Sequence, residues 1–321
     1  MRRQITQPPT SPSANTVNAA QGLWANCQAL RHTMDANLVR RIAFAAVAIP
    51  VAVGLVWLGG WPLAALVALI GVLGTRELFD IAAKQGILAF RGTGLAAAAI
   101  GPLLVYHVIA DEPARVLFAA NWMFVAAAFM LLLLFEALRL RAPSERPLGA
   151  VAVTAFGVLY AGMLPTFLLG IRHGAWPERS WAGATLVLFP LVVTWVCDTA
   201  AMFGGRAFGG PKLAPTISPG KTRSGGLAGL VGGAAVAPLF ALWLLPKVGI
   251  TIGVLPAVAV AVVLATVGQL GDLAESLFKR EAGVKDSSTL IPGHGGVLDR
   301  FDSLYVILPT AALCYRVLGL I

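Results

Sequence analysis

The sequence predicts an all-α, polytopic integral membrane protein with about nine transmembrane helices and a cytoplasmic N-terminus. Three observations predict it. Of the 321 residues, 58% belong to the AVILMFWYC set and only 12% are charged, about half the charged share of an ordinary soluble domain. The apolar residues fall in charge-free runs close to the ~20 residues that cross a bilayer as a helix. The Lys and Arg residues gather on alternate connections.

Residues 1–41 are a different material from the rest. They carry the polar, Pro-rich stretch Gln7-Pro8-Pro9-Thr10-Ser11-Pro12 and read as a disordered or interfacial tail. Arg2-Arg3 is not followed by an apolar core, so neither a signal peptide nor a twin-arginine signal fits. Residues 42–75 run for 34 positions without a charge and are broken by Gly59-Gly60-Trp61-Pro62, which predicts two helices joined by a tight turn. Further runs follow at 92–110, 116–135, 147–171, 180–197, 224–246 and 248–271, with a last one at 303–321 interrupted only by Arg316. Residues 42–179 thus form an N-terminal group of helices, and 180–321 a C-terminal region that carries the polar, catalytic loops.

With the N-terminus inside, 19 of the 24 Lys and Arg residues fall on cytoplasmic segments, leaving Arg115, Arg172, Arg179, Lys247 and Arg316 outside. The net charge of +9 is then mostly topology, with some attraction to anionic lipid, and does not indicate nucleic acid. Three unpaired Cys and four scattered His build neither a disulfide framework nor a dense metal cluster. Glu77 and Glu136 fall near predicted helix ends, where interfacial snorkelling is expected. His173 reads as an external-loop residue.

The polar material concentrates in two segments, 198–223 and 272–302, which hold seven of the fifteen acidic residues. Ionisable groups at membrane depth are costly and are functional candidates by default. Asp272, Glu275, Ser276 and Lys279 are spaced i, i+3, i+4 and i+7, so a continuing helix puts them on one face. Beyond them, Pro292-Gly293-His294-Gly295-Gly296 offers turns that let backbone N–H groups approach an anion. Lys279, Arg280, Lys285 and Arg300 supply cations for phosphate. Asp272, Asp299 and Asp302 are hard oxygen ligands suited to Mg²⁺ shared with substrate phosphates. His294 either holds a turn or binds phosphate and relays a proton.

In the first segment Asp198 sits near the cytoplasmic end of a span, followed by Arg206, Lys212, Ser218 and Gly220-Lys221-Thr222. This is not a P-loop. That motif needs Gly where Pro215 stands, and a strand before it rather than a membrane helix. A basic loop that feeds phosphates to a metal site remains.

Residues 276–302, from Ser276-Leu277-Phe278-Lys279-Arg280 through Lys285-Asp286 to Pro292-Gly293-His294-Gly295-Gly296-Val297-Leu298-Asp299-Arg300-Phe301-Asp302, resemble the signature of the phosphatidate cytidylyltransferases (CDP-diacylglycerol synthases). The segment Asp198 to Thr222 is similar to that family's other polar loop. The resemblance implies transfer of the cytidylyl group of CTP to phosphatidic acid in a bilayer, giving CDP-diacylglycerol and pyrophosphate for phospholipid synthesis. It implies Mg²⁺, with a second, monovalent ion such as K⁺ as a companion, and a site facing the cytoplasm of a bacterial inner membrane. A homodimer is a family-based expectation.

Carried over residue by residue, it makes Asp272 and Asp299 metal ligands, with Asp198 and Asp302 as second choices. Lys279, Arg280, Lys285, Asp286, His294 and Arg300 fall in the catalytic signature. Arg206, Lys212, Ser218, Lys221, Thr222 and Ser276 are left for substrate. The chain departs from the pattern at Met202, Gly210, Gly220 and Ser224, which puts CTP affinity and lipid choice in question. Two other readings use the same residues: a divergent paralogue with another lipid phosphate as acceptor, and a non-catalytic lipid-binding or transport protein. Transporters tend to pair broken helices in repeats, and no internal repeat is visible.

Overall fold

A computed structural model of the chain describes residues 49–290 and 295–321. The helices are α1 (Ile49–Leu58), α2 (Gly60–Ala83), α3 (Arg91–Ala110), α4 (Glu112–Leu140), α5 (Pro143–His173), α6 (Trp181–Phe208), α7 (Arg223–Lys247) and α8 (Val254–Glu281). The one-turn α9 (Leu298–Phe301) and α10 (Leu304–Val317) follow. Helices α2 to α8 are the seven long and apolar enough to cross a membrane. The expected nine spans therefore become seven full-length ones and two shorter helices among the described residues. With 14 residues, α10 covers only about 21 Å of a ~30 Å hydrocarbon core.

The break between α1 and α2 follows from two glycines. Gly59 and Gly60 have φ of 66° and 64°, a region that residues with a Cβ avoid. Arg172, counted above among the outside charges, is fully buried against this break. Its guanidinium donates to the Val56, Trp57 and Pro177 carbonyls at 2.6, 2.7 and 3.0 Å, so it closes the last turn of α1 as a C-terminal cation should. His173 is likewise no free loop residue, because its Nε2 accepts the Gly60 N–H at 3.1 Å. Helix α5 is irregular, passing through a π turn at Val158–Met163 and a 3-10 turn at Leu164–Thr166, where Pro165 has no N–H to give to an α ladder.

Between α6 and α7 the chain forms a two-stranded antiparallel hairpin where the sequence suggested only a loop. Strand β1 (Lys212–Ala214) pairs with β2 (Ser218–Thr222), Lys212 facing Thr222 and Ala214 facing Ser218. Thr222 then caps α7 by accepting the Gly225 N–H at 3.1 Å. Helices α6 and α7 approach through small residues, as membrane helices do. A Cβ on Gly229 would lie 3.1 Å from the Ala201 Cβ, and one on Gly232 2.5 Å from the Ala200 Cβ. Helix α8 meets α10 the same way, with Gly268 and Gly271 receiving Ile307 and Val306.

Residues 50–321 form one compact unit. Its main core draws Leu63 and Val67 from α2, Leu186 and Val193 from α6, Leu264 from α8 and Ile307 from α10. Both groups of helices thus contribute to one interior. Helix α4 is almost wholly exposed, with Phe124 at 72% and Leu138 at 84%, the surface expected of a helix facing lipid.

Candidate active site

The C-terminal half of α6, the hairpin, the start of α7 and Gln269 and Asp272 of α8 line a cavity of about 570 Å³. Close packing of α6 on α7 brings Asp198, Met202 and Arg206 beside Gly225 and Gly226. The hairpin adds Lys212, Lys221 and Thr222, and α8 adds Gln269 and Asp272. Gly209 and Gly210, at φ of 59° and 92°, end α6 and turn the chain into β1. Lys221 Nζ lies 2.5 Å from Asp272 Oδ2, with both side chains about 30% exposed. Ser276, one turn on, donates to Asp272 Oδ1 at 3.4 Å. Gln269 donates to the Gly226 carbonyl at 3.1 Å, tying α8 to α7 at the cavity wall.

The expected face of α8 forms, and it leads away from the cavity into a buried network. Lys279 is 7% exposed. Its ammonium sits 3.0 Å from Glu275 Oε1 and 2.6 Å from Asp299 Oδ1, held between two carboxylates. Asp299 Oδ2 accepts the Ser287 N–H and Oγ–H, both at 2.8 Å, and the Gly296 N–H at 2.9 Å. Burial alone would raise the Asp299 carboxyl, but Lys279 and the Gly296 and Ser287 amides outweigh it and hold the carboxyl below its ordinary value. Asp302 goes the other way: burial, then the Asp272 carboxylate, push it up to about 7, with Asp198 adding to the effect.

The sequence-derived residues therefore separate into three sets. Asp198, Arg206, Lys212, Lys221, Thr222 and Asp272 share the cavity. Ser276, Lys279 and Asp299 are buried in the network. Arg280 is exposed and donates to the Ile217 and Val284 carbonyls at 3.1 and 2.7 Å, joining the hairpin turn to the end of α8. Lys285, Asp286 and Arg300 are exposed and Ser218 is half-buried. His294 lies outside the described residues.

Sequence reasoning passed over Glu77. It is 3% exposed rather than snorkelling at an interface, and it accepts hydrogen bonds from the C-terminal motif. The available signal was weak: Glu77 stands between Arg76 and Asp80 just past the charge-free run that ends at residue 75. Glu136 is half-buried and accepts the Thr93 hydroxyl at 2.5 Å.

The donor set suits a hard divalent ion. Asp198, Asp272 and Asp302 lie within electrostatic reach of one another, and the two neighbouring carboxylates add to the burial that pushes Asp302 up. Asp299 Oδ1 takes only Lys279, so it keeps a lone pair. Among the described residues no three such side chains converge into a ready-made cage. Carboxylates are the oxygen donors that Mg²⁺ takes, one or two at a time together with substrate phosphates.

Cations and carboxylates around one cavity, at the ends of membrane-crossing helices, define a membrane-embedded enzyme that handles phosphate groups. The chain belongs to the Cytidylyltransferase family, which matches residues 39–318. It is 33% identical over 300 residues to a phosphatidate cytidylyltransferase of Synechocystis, covering 86% of this chain and 94% of that protein. It is 44% identical over 168 residues to one from Brucella suis and 39% over 161 residues to one from Haemophilus influenzae. Those two matches cover 50% of this chain and 55% of each relative.

Proposed function

We propose that this integral membrane protein transfers the cytidylyl group of CTP to phosphatidic acid, giving CDP-diacylglycerol and pyrophosphate. The observation that carries this reading is the mixed lining of the cavity. Lys221 paired to Asp272, beside Arg206, Lys212 and Asp198, is a surface for a polyphosphate, and it opens among helices that sit in lipid. The relatives named above support the choice of substrates.

In the reaction an ionised phosphatidate oxygen forms a bond to the α-phosphorus of CTP. The bond from that phosphorus to the α–β bridging oxygen breaks, and its electron pair leaves with pyrophosphate. The attacking oxygen carries its charge at neutral pH, so no protein base is needed. Both reactants are anions, and the protein's task is neutralisation and alignment. Arg206, Lys212 and Lys221 take the CTP phosphates. Lys221 exchanges Asp272 for phosphate, which is cheap because the pair is partly solvated. Arg300 takes a phosphate or a neighbouring carboxylate.

Asp272 and Asp299 would hold Mg²⁺, with Asp198 and Asp302 around them, and bound Mg²⁺ would supply charge stabilisation on the transferring phosphoryl group. Asp299 would contribute a carboxylate to that site while remaining hydrogen-bonded to Ser287 and Gly296. The cavity faces the cytoplasm, where CTP is made, and the membrane is the bacterial plasma membrane.

The test is Mg²⁺-dependent formation of CDP-diacylglycerol from labelled CTP and phosphatidic acid by the purified protein, with Asp272→Ala as control. Product that disappears on chelation and in the control supports the reading. Absence of product from folded protein that still binds CTP sinks phosphatidate as the acceptor.

A further inference from the structure

We infer that Glu77, on α2, is a positioning residue for the active site: it fixes the C-terminal motif in the register that presents Asp299 and Lys279. Its carboxylate accepts three hydrogen bonds of its own from that motif and shares a fourth donor, the Ser287 hydroxyl, with Asp299. Oε1 receives the Ser288 hydroxyl at 2.6 Å and the Val297 N–H at 3.0 Å. Oε2 receives the Ser287 hydroxyl and the Leu298 N–H, both at 2.8 Å. Three donors of its own and the shared Ser287 hydroxyl occupy the lone-pair sites of the carboxylate, so Glu77 is spent on the motif. A buried carboxylate without such partners would cost several kcal/mol.

The donors come from both sides of residues 291–294, Ser287-Ser288 before them and Val297-Leu298 after them. One side chain, 210 to 221 positions away in sequence, clamps the two ends together. The clamp reaches the chemistry through Ser287. Its Oγ lies 2.8 Å from both Glu77 Oε2 and Asp299 Oδ2, and its single proton serves one carboxylate at a time. Three successive amides are divided between the two acids: Gly296 N–H goes to Asp299, Val297 and Leu298 N–H to Glu77. Gly296 is required here, because a Cβ would strike both Ser287 Oγ and the Glu77 carboxylate. From Glu77 the path runs through Ser287 to Asp299, to Lys279 and to Glu275 on α8. The orientation of Asp299 is thus set jointly by its own element and by α2.

The activity part of this inference rests on the proposed function, whereas the clamp itself is read without it. In Glu77→Gln the shape is kept, but an –NH₂ faces two donors. Amide hydrogen exchange at Val297 and Leu298 should speed up about 10- to 100-fold. With CTP and phosphatidic acid, kcat should fall about 10- to 100-fold, as for lost outer-shell partners, while KM for CTP stays within about threefold. Unchanged exchange in the folded variant overturns the clamp. Faster exchange with unchanged kcat overturns the positioning role and leaves Glu77 a staple of the fold. If Glu77→Gln does not fold, Ser288→Ala decides the matter, since it removes one bond to Oε1 without touching Asp299. It should give smaller changes in the same directions, and no change overturns the inference. A wild-type protein that makes no product refutes the proposed reaction, and the exchange measurement then judges the clamp alone.

Discussion

The cavity wall and the C-terminal motif share α8 and treat charge in opposite ways. Around the cavity, Arg206 and Lys212 are exposed and the Lys221–Asp272 pair is about 30% exposed. In the network around the motif, Lys279, Glu275, Asp299 and, from α2, Glu77 are at most 9% exposed, and Lys279, Asp299 and Glu77 are matched to protein partners. A partly solvated pair is worth about 0–1 kcal/mol and can release a partner to an incoming phosphate. A buried set cannot do so without leaving a charge stranded. The segment with the denser sequence signature is therefore largely the frame of the site, and the plainer hairpin supplies much of its contact surface. Asp299 belongs to both, through one filled and one half-filled oxygen.

Four substitutions sharpen or break this contrast. The largest effect is expected at Asp272, which faces the cavity. Asp272→Ala should lower kcat by about 10³-fold or more, the loss of several kcal/mol of charge stabilisation, with the thermal midpoint nearly unchanged. A residual rate within tenfold of wild type would move the metal site elsewhere. Lys279→Met should act on stability instead. Stranding Glu275 and Asp299 without their cation should cost about 3–5 kcal/mol, seen as a lower unfolding midpoint in detergent. A fully stable but inactive Lys279→Met would show that Lys279 meets substrate rather than bracing the frame.

Lys221→Ala should raise KM for CTP about tenfold, or ~1.4 kcal/mol, and leave stability within about 0.5 kcal/mol. Steady-state kinetics at varied CTP checks this, and an unchanged KM would remove the hairpin from the substrate surface. Arg280→Ala should be the mildest. It loses two carbonyl contacts at an exposed position, so about 1 kcal/mol or less of stability and under threefold in kcat/KM are expected. A much larger loss of kcat/KM would restore Arg280 to direct phosphate binding.

Charge-free runs located the seven membrane-length helices, α2 to α8, because the bilayer imposes a length and forbids stray charge. The i, i+3, i+4, i+7 spacing on α8 was equally legible, since helical periodicity is local. Neither rule could say that Lys279 turns inward while Lys221 faces the cavity. Both are lysines in polar segments, and the difference lies in which helix packs over each. The hairpin was hidden for a related reason: its strands are three and five residues long, too short for an alternating pattern to stand out. Arg172 shows the cost of counting charges without contacts, because it looked like a loop cation and is a fully buried cap.

By itself the sequence determined the all-α membrane architecture, the two polar segments and the set of acids and bases able to handle a polyphosphate. These follow from composition and short-range spacing, which solvent and helix geometry read directly. Only the tertiary structure decided which charges are spent on one another and which face the cavity. It also joined Glu77 to a motif more than 200 residues away. Such a contact leaves no periodic trace in the chain, because packing fixes it, through glycine-lined helix contacts and the burial of matched hydrogen bonds.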